Sequence, residues 1–186
     1  IKVYDKKQDT IWKEKNVLAV QDKKEIIAIG EDAYQMYEKT PPDIEVAFPM
    51  RDGVISRFND MQNLLQNILK KNRHFSRGAE YVIAVPTDVT EVQKKAFFDL
   101  VIHSNAKARE VNIVERSIAD AVGLGIDVQN TTGVMIINFG GETTELSVLT
   151  EGGIVFNRLL KLGGTTLDPV SYTHLRAHES GAYLVC

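Results

Sequence analysis

The sequence predicts an α/β protein: a mixed central sheet with helices on its faces. Three observations carry this. Short apolar runs rich in Val and Ile recur, as in EYVIAV, EVNIVE and GVMIIN. Segments with apolar residues at helical spacing separate several of them, most plainly residues 59–71. Gly, Pro and capping signals punctuate the runs at their ends. Strands alternating with helices leave the helices to cover the sheet.

The elements follow in order. Ile1-Lys2-Val3-Tyr4 alternates, DKKQD interrupts, and TIWKEKNVLAV resumes, which is a β-hairpin followed by a third strand. EIIAIG continues as β, and EDAYQMYEKT suits a short helix ended by Pro41-Pro42. DIEVAFPMRDGVISRF reads as strand with a turn at Asp52-Gly53. Met61, Leu64, Leu65, Ile68 and Leu69 mark the helix over 59–71. EYVIAVPT is a buried strand stopped by Pro86. Thr90 with Gln93 makes a capping box. The helix it opens places Val92, Ala96, Phe97, Leu100 and Val101 on one face. EVNIVE is a further buried strand, and RSIADAVGLG a helix closed by Gly123 and Gly125. The last elements are the strands of GVMIINFGGETTELSVLTEGGIVF and the run IVFNRLLKLGG. The stretch from about Gln21 to Val54 is expected to be a small α/β insertion.

Composition narrows the function classes. With 186 residues, 44% hydrophobic and 25% charged, the chain suits a soluble globular protein with a core. A net charge of -3 gives no electrostatic case for nucleic acid. No apolar run approaches the roughly 20 residues that span a bilayer. The opening is charged and strand-like, so no signal peptide is expected. Cys186 is the only cysteine, which excludes an internal disulfide and suits a reducing compartment.

After Asp168 the character changes. PVSYTHLRAHESGAYLVC holds two of the four histidines and the cysteine and has no clear periodicity. VSYTHLRAHE resembles a translated transposase-type sequencing adapter, and YLVC resumes that likeness, with Ser180 as a departure. Residues 169–186 are therefore expected to be a non-native tail, the alternative being a divergent native one. On that expectation His174, His178 and Cys186 drop out as metal ligands.

Two constellations could carry chemistry. In NFGGETTE, a Gly-Gly turn between strands lets successive N–H groups converge on one concavity, a nest suited to phosphate oxygens. Thr143 and Thr144 would add hydroxyl donors. The same turn is equally an ordinary hairpin turn. Glu115 ends a buried strand at the mouth of a helix, where open α/β sheets place ligands. It could orient a water for attack on a terminal phosphate, or simply serve as an N-cap or first-turn acid favoured by the helix dipole. His74 and His103 read as solvent-facing helix residues. The clusters KKNRHFSR and QKKAFFDLVIHSNAKAR read as solvated helix faces despite their aromatics.

Taken together, VPT, VERSIADAVGLG, NFGGETTE, GGIV and GGTTLD occur in an order that resembles the actin-like ATPases. IGEDA, KTP and PMRDGVI narrow the likeness to the MreB family of rod-shape-determining filament proteins. The resemblance covers nearly all of 1–168. It implies the actin-like (ribonuclease H-like) fold, with 1–131 as lobe I, the insertion about 21–54 within it, and 132–168 as the first strands of lobe II. A first phosphate hairpin is then expected before Ile1 and adenosine-contacting elements after Asp168, so that the chain would be a piece of a longer protein.

The resemblance further implies ATP and Mg²⁺ as cofactors. Partners would be further copies of itself in a filament, the membrane surface and the cell-wall synthesis machinery, with no nucleic acid. The location would be cytoplasmic, at the inner face of the cytoplasmic membrane. Glu115 matches the water-orienting glutamate. Gly140, Gly141, Glu142 and Thr143 match the second phosphate hairpin, and Asn138 matches the aspartate that holds the hydrated metal. Trp12 and Phe156 are expected in the core or in filament contacts.

Two positions depart from the family pattern. Asn138 offers an amide oxygen but no charge to a hard cation. Glu142 replaces a third glycine. It could occupy a backbone conformation costing a non-glycine ~1–2 kcal/mol, and its carboxylate about 4 Å from a like charge would be repelled by roughly 4 kcal/mol at an effective dielectric of 20. Either Glu142 supplies the carboxylate that position 138 lacks, or the site has lost hydrolysis and the protein is a scaffold filament. A chaperone-like or sugar-kinase-like ATPase of the same fold is the remaining alternative.

Overall fold

The computed structural model describes residues 1–22, 25–37, 39–71, 78–151 and 153–167. The expectations for His74 and for the tail from Pro169 lie outside them. The described chain forms two compact units, one of residues 1–85 with 89–114, the other of 86–88 with the chain from 115 onward.

The first unit opens with the hairpin β1 (Lys2–Asp5) and β2 (Thr10–Lys13), paired antiparallel. Its main sheet has the order β4 (Glu25–Ile29), β3 (Leu18–Gln21), β5 (Ile44–Ala47), all antiparallel. Because side chains alternate across a strand, Leu18 and Val20 fall on one face of β3, and Val17 and Ala19 on the other. The first pair packs with Ile29, Ala47, and Leu64 and Ile68 of helix α2 (Phe58–Lys71). The second packs with Ala33, and with the partly buried Met36, of helix α1 (Glu31–Met36). Residues 25–47 thus share both cores with β3.

Pro49 separates β5 from the short pair β6 (Met50–Arg51) and β7 (Val54–Ile55). Proline has no N–H to give a ladder, and its carbonyl instead accepts from the Ser56 and Arg57 amides at 2.9 and 3.0 Å. The predicted Asp52-Gly53 turn is present with both residues at positive φ, 51° and 80°, the backbone of a tight hairpin turn.

β8 (Glu80–Val85) and β9 (Glu110–Glu115) pair, joined through helix α3 (Glu91–Ile102). The Thr90–Gln93 capping box forms in both directions, at 3.3 and 2.9 Å. Phe97, Leu100 and Val101 are buried as expected, but Val92 is 79% exposed. At about 100° per residue, Val92 lies half a turn from Val101, so the two cannot share a buried face. His103 is exposed at the helix end, where a ring nitrogen meets the Asp99 carbonyl. Trp12 and Phe156 remain 44% and 52% exposed, so neither is a core residue.

The second unit holds helix α4 (Arg116–Gly123) and the antiparallel meander β10 (Val134–Phe139), β11 (Thr144–Thr150), β12 (Gly153–Leu160). Gly125 closes α4 at φ 74°. Ala121 of α4 packs on Ile136 and Leu149, with Ile118, Ile126, Val128, Val134 and Ile154 around them. Among the described residues the strands assort into five sheets of two or three strands. No described helix is long and apolar enough to cross a membrane.

Candidate functional site

The turn between β10 and β11 is shaped by two close backbone approaches. Gly140 donates to the Thr143 carbonyl at 2.8 Å, and a Cβ at position 140 would stand 2.7 Å from that same oxygen. The segment after β12 then closes on the turn. Gly164 donates to the Gly140 carbonyl at 3.0 Å, and Thr165 to the Gly141 carbonyl at 2.8 Å. A Cβ on Gly163 would lie 2.5 Å from the Gly141 oxygen. Glycine is therefore needed at 140 and 163 to let backbones meet. A Cβ on Gly141 would meet nothing within 4 Å, although its carbonyl is taken by Thr165.

None of Gly140, Gly141 and Glu142 takes a positive φ. The strain expected from a non-glycine at 142 is absent, because this turn is built by close approach and not by left-handed backbone. Thr143 and Thr144 are both buried. The Thr144 hydroxyl donates to the Leu162 carbonyl at 2.6 Å, so that hydroxyl is a brace within the turn and not the phosphate donor expected of it.

Glu115 occupies the N-cap position of α4, with extended backbone and no side-chain capping bond. A capping duty therefore does not account for its carboxylate. Two residues on, Ser117 is buried in a polar network that the sequence did not single out. Its hydroxyl bonds the hydroxyl of Thr87 at 2.8 Å and that of Ser147. Glu145, only 2% exposed, accepts from the Thr87 amide at 2.8 Å and from Asn157 Nδ2 at 3.0 Å. Arg116 approaches its other oxygen at 3.8 Å. This network ties the Pro86–Asp88 turn, the first turn of α4 and the strands beside the hairpin into one piece. The available signal was the strand pattern Glu145-Leu146-Ser147-Val148-Leu149: the polar residues share the face of Leu149 and Ile136, the face α4 covers.

Asn138, two residues before the turn, donates from Nδ2 to Oδ2 of Asp120 on α4 at 2.6 Å. Among the described residues no group of three or more His, Cys, Asp or Glu could cage a metal ion. The oxygens of Asn138 and Asp120 fit a hydrated hard cation that keeps most of its waters. The Gly140 amide is spent on the Thr143 carbonyl and is not the phosphate donor expected of it, while the empty space at the Cβ position of Gly141 leaves room for a phosphate oxygen. Glu115, Asn138 and the 140–143 turn belong to one unit.

The comparisons with known proteins agree with this architecture. A family profile described as MreB/Mbl protein matches residues 1–180. The cell shape-determining protein MreB of Escherichia coli K12 is 33% identical over 182 residues, covering 94% of this chain and 52% of that protein. The cell shape-determining protein Mbl of Bacillus subtilis is 29% identical, covering 89% and 50%. The crystal structure of MreB 5 of Spiroplasma citri bound to AMPPNP is 31% identical with a TM-score of 0.82, covering 95% of this chain and 53% of that one. The MamK double helical filament, 19% identical with a TM-score of 0.68, shares the fold. The chain spans about half the length of the curated relatives it matches. Its fold is that of the actin-like ATPases, and the chain belongs to the MreB/Mbl family.

Proposed function

We propose that the intact protein is an MreB-like bacterial actin homologue. It forms nucleotide-regulated cytoskeletal filaments that maintain rod shape by organising cell-wall synthesis. Its place is the cytoplasm, at the inner face of the cytoplasmic membrane, and its partners are further copies of itself, that membrane surface and the synthesis machinery. The lobe boundaries inferred from the resemblance, 1–131 and 132–168, belong to the same proposal, as does a non-native origin for 169–186, into which the family match nevertheless extends as far as residue 180.

The observation that supports this best is the 140–143 turn, fixed by the close backbone approaches at Gly140 and Gly163 in a chain of this family. That one relative is crystallised with ADP and AMPPNP supports a nucleotide as its occupant. Gly140, Gly141, Glu142 and Thr143 would hold phosphate oxygens of ATP. Asn138 would hold a Mg²⁺-bound water, and Glu115 would orient the attacking water. When bound, Mg²⁺ would neutralise charge on the phosphates.

A second version, a scaffold filament without hydrolysis, is favoured by the neutral Asn138 and by the carboxylate placed on the turn at Glu142. Pelleting and phosphate-release assays on the intact protein with ATP, ADP and AMPPNP test both. Filaments are expected in at least one nucleotide state, and none in any state would overturn the filament proposal. Mg²⁺-dependent turnover abolished by Glu142→Gly would remove the scaffold version. Turnover gained by Asn138→Asp with Glu142→Gly would instead show that the two departures silence hydrolysis.

A further inference from the structure

We infer that Asp120 carries the negative charge that position 138 lacks, so that the carboxylate facing a nucleotide-bound Mg²⁺ comes from α4 and not from β10. The inference builds on the nucleotide reading above and adds a residue to it.

Asn138 is neutral and stands two residues before the first glycine of the turn. Its Nδ2 donates to Asp120 Oδ2 at 2.6 Å. A carboxylate has no proton to give, so the amide must turn its NH₂ toward Asp120. Asp120 comes from 18 residues earlier in the chain. It reaches β10 because Ser117 and Ala121 are buried and fix the rotation of α4. At 100° per residue, a residue three beyond Ser117 and one before Ala121 lies on the edge of that buried face.

The pair therefore holds one carboxylate and one amide at the place where an Asp at 138 would hold one carboxylate. Acids at both positions would repel, whereas Asn138 with Asp120 keeps a charge-assisted hydrogen bond. Asp120 Oδ2 takes the amide, and Oδ1 is the oxygen for a metal-bound water. Mg²⁺ typically takes one or two carboxylates, retained waters and substrate phosphates, so the one carboxylate of Asp120 is within its usual ligand set.

The test is metal affinity. Intact protein carrying AMPPNP is titrated with Mn²⁺, followed by the electron paramagnetic resonance signal of the free ion, and with Mg²⁺ by calorimetry. Asp120→Asn should weaken the metal about 10–100-fold, the range for losing a partner of this kind. The exchanged pair, Asp120→Asn with Asn138→Asp, keeps both the hydrogen bond and the charge and should return the affinity to near its starting value. Thermal unfolding of each variant confirms that it is folded.

Unchanged metal affinity in Asp120→Asn overturns the inference. So does a loss that the exchanged pair fails to restore, or a loss on Glu142→Gln with none on Asp120→Asn. Tight nucleotide binding indifferent to Asp120 would sink this inference alone. No nucleotide binding by the unaltered protein would sink the nucleotide reading as well.

Discussion

β3, the central strand of the first unit, buries apolar side chains on both faces, while β11, the central strand of the second, buries Glu145 and Ser147 beside Leu149. The cross-strand rows of the second sheet grade along its length. Val134, Leu149 and Ile154 form an apolar row packed near α4. Next comes Ile136, Ser147, Asn157, and then Asn138, Glu145, Leu159 beside the hairpin. On the opposite face Met135, Phe139 and Phe156 are more than half exposed.

The first arrangement is a stability device, since apolar burial is strong but non-directional. The second is a positioning device. Most of its buried polar atoms meet a partner at hydrogen-bonding geometry, Glu145 Oε2 and Asn157 Oδ1 being exceptions, and such contacts fix register and approach more tightly than they stabilise.

That contrast predicts an order of effects. Leu18→Ala, at a fully buried position, should destabilise most, by about 2–5 kcal/mol in urea unfolding. A smaller loss would mean that the two-faced core of β3 can collapse around the cavity. Glu145→Ala should cost less, about 1–3 kcal/mol, because it strands the Thr87 amide and removes one of the acceptors of Asn157. Its sharper readout is local: amide exchange at Thr87 should rise more than exchange in β3. Equal rises would contradict a positioning role for the network. Thr90→Ala removes one half of the capping box and should cost about 1 kcal/mol, visible as a lower unfolding midpoint. Phe139→Thr, on the exposed face, should leave stability within about 0.5 kcal/mol and reduce binding of an apolar dye. A large destabilisation there would show that this face is packed and not open.

Much of the fold was legible in the sequence because it rests on local chemistry. The Asp52-Gly53 turn, the Thr90–Gln93 box, the α2 stripe of Met61, Leu64 and Ile68, and the Gly125 helix stop all formed as read. Local rules missed at Val92, which lies half a turn from the buried Val101, and exposure of Trp12 and Phe156 removes the core reading of those two and leaves the filament-contact one. At the candidate site, the glycine turn and Glu115 could be picked out from their strand-end positions. The reason for the glycines could not, since Gly163 is needed for a contact with Gly141 far along the chain.

By itself, then, the sequence determined the α/β class, most of its elements, and a glycine turn marked by two departures from its family, Asn138 and Glu142. Periodicity and capping are properties of neighbouring residues, and a linear reading contains them. The tertiary structure alone decided what those departures face. Asn138 meets Asp120 from a different element, the Thr144 hydroxyl is spent on Leu162, and Glu145 is buried among Thr87, Ser117, Ser147 and Asn157. Hydrogen bonds between residues distant in sequence form only when packing brings the elements together, and no spacing along the chain records them.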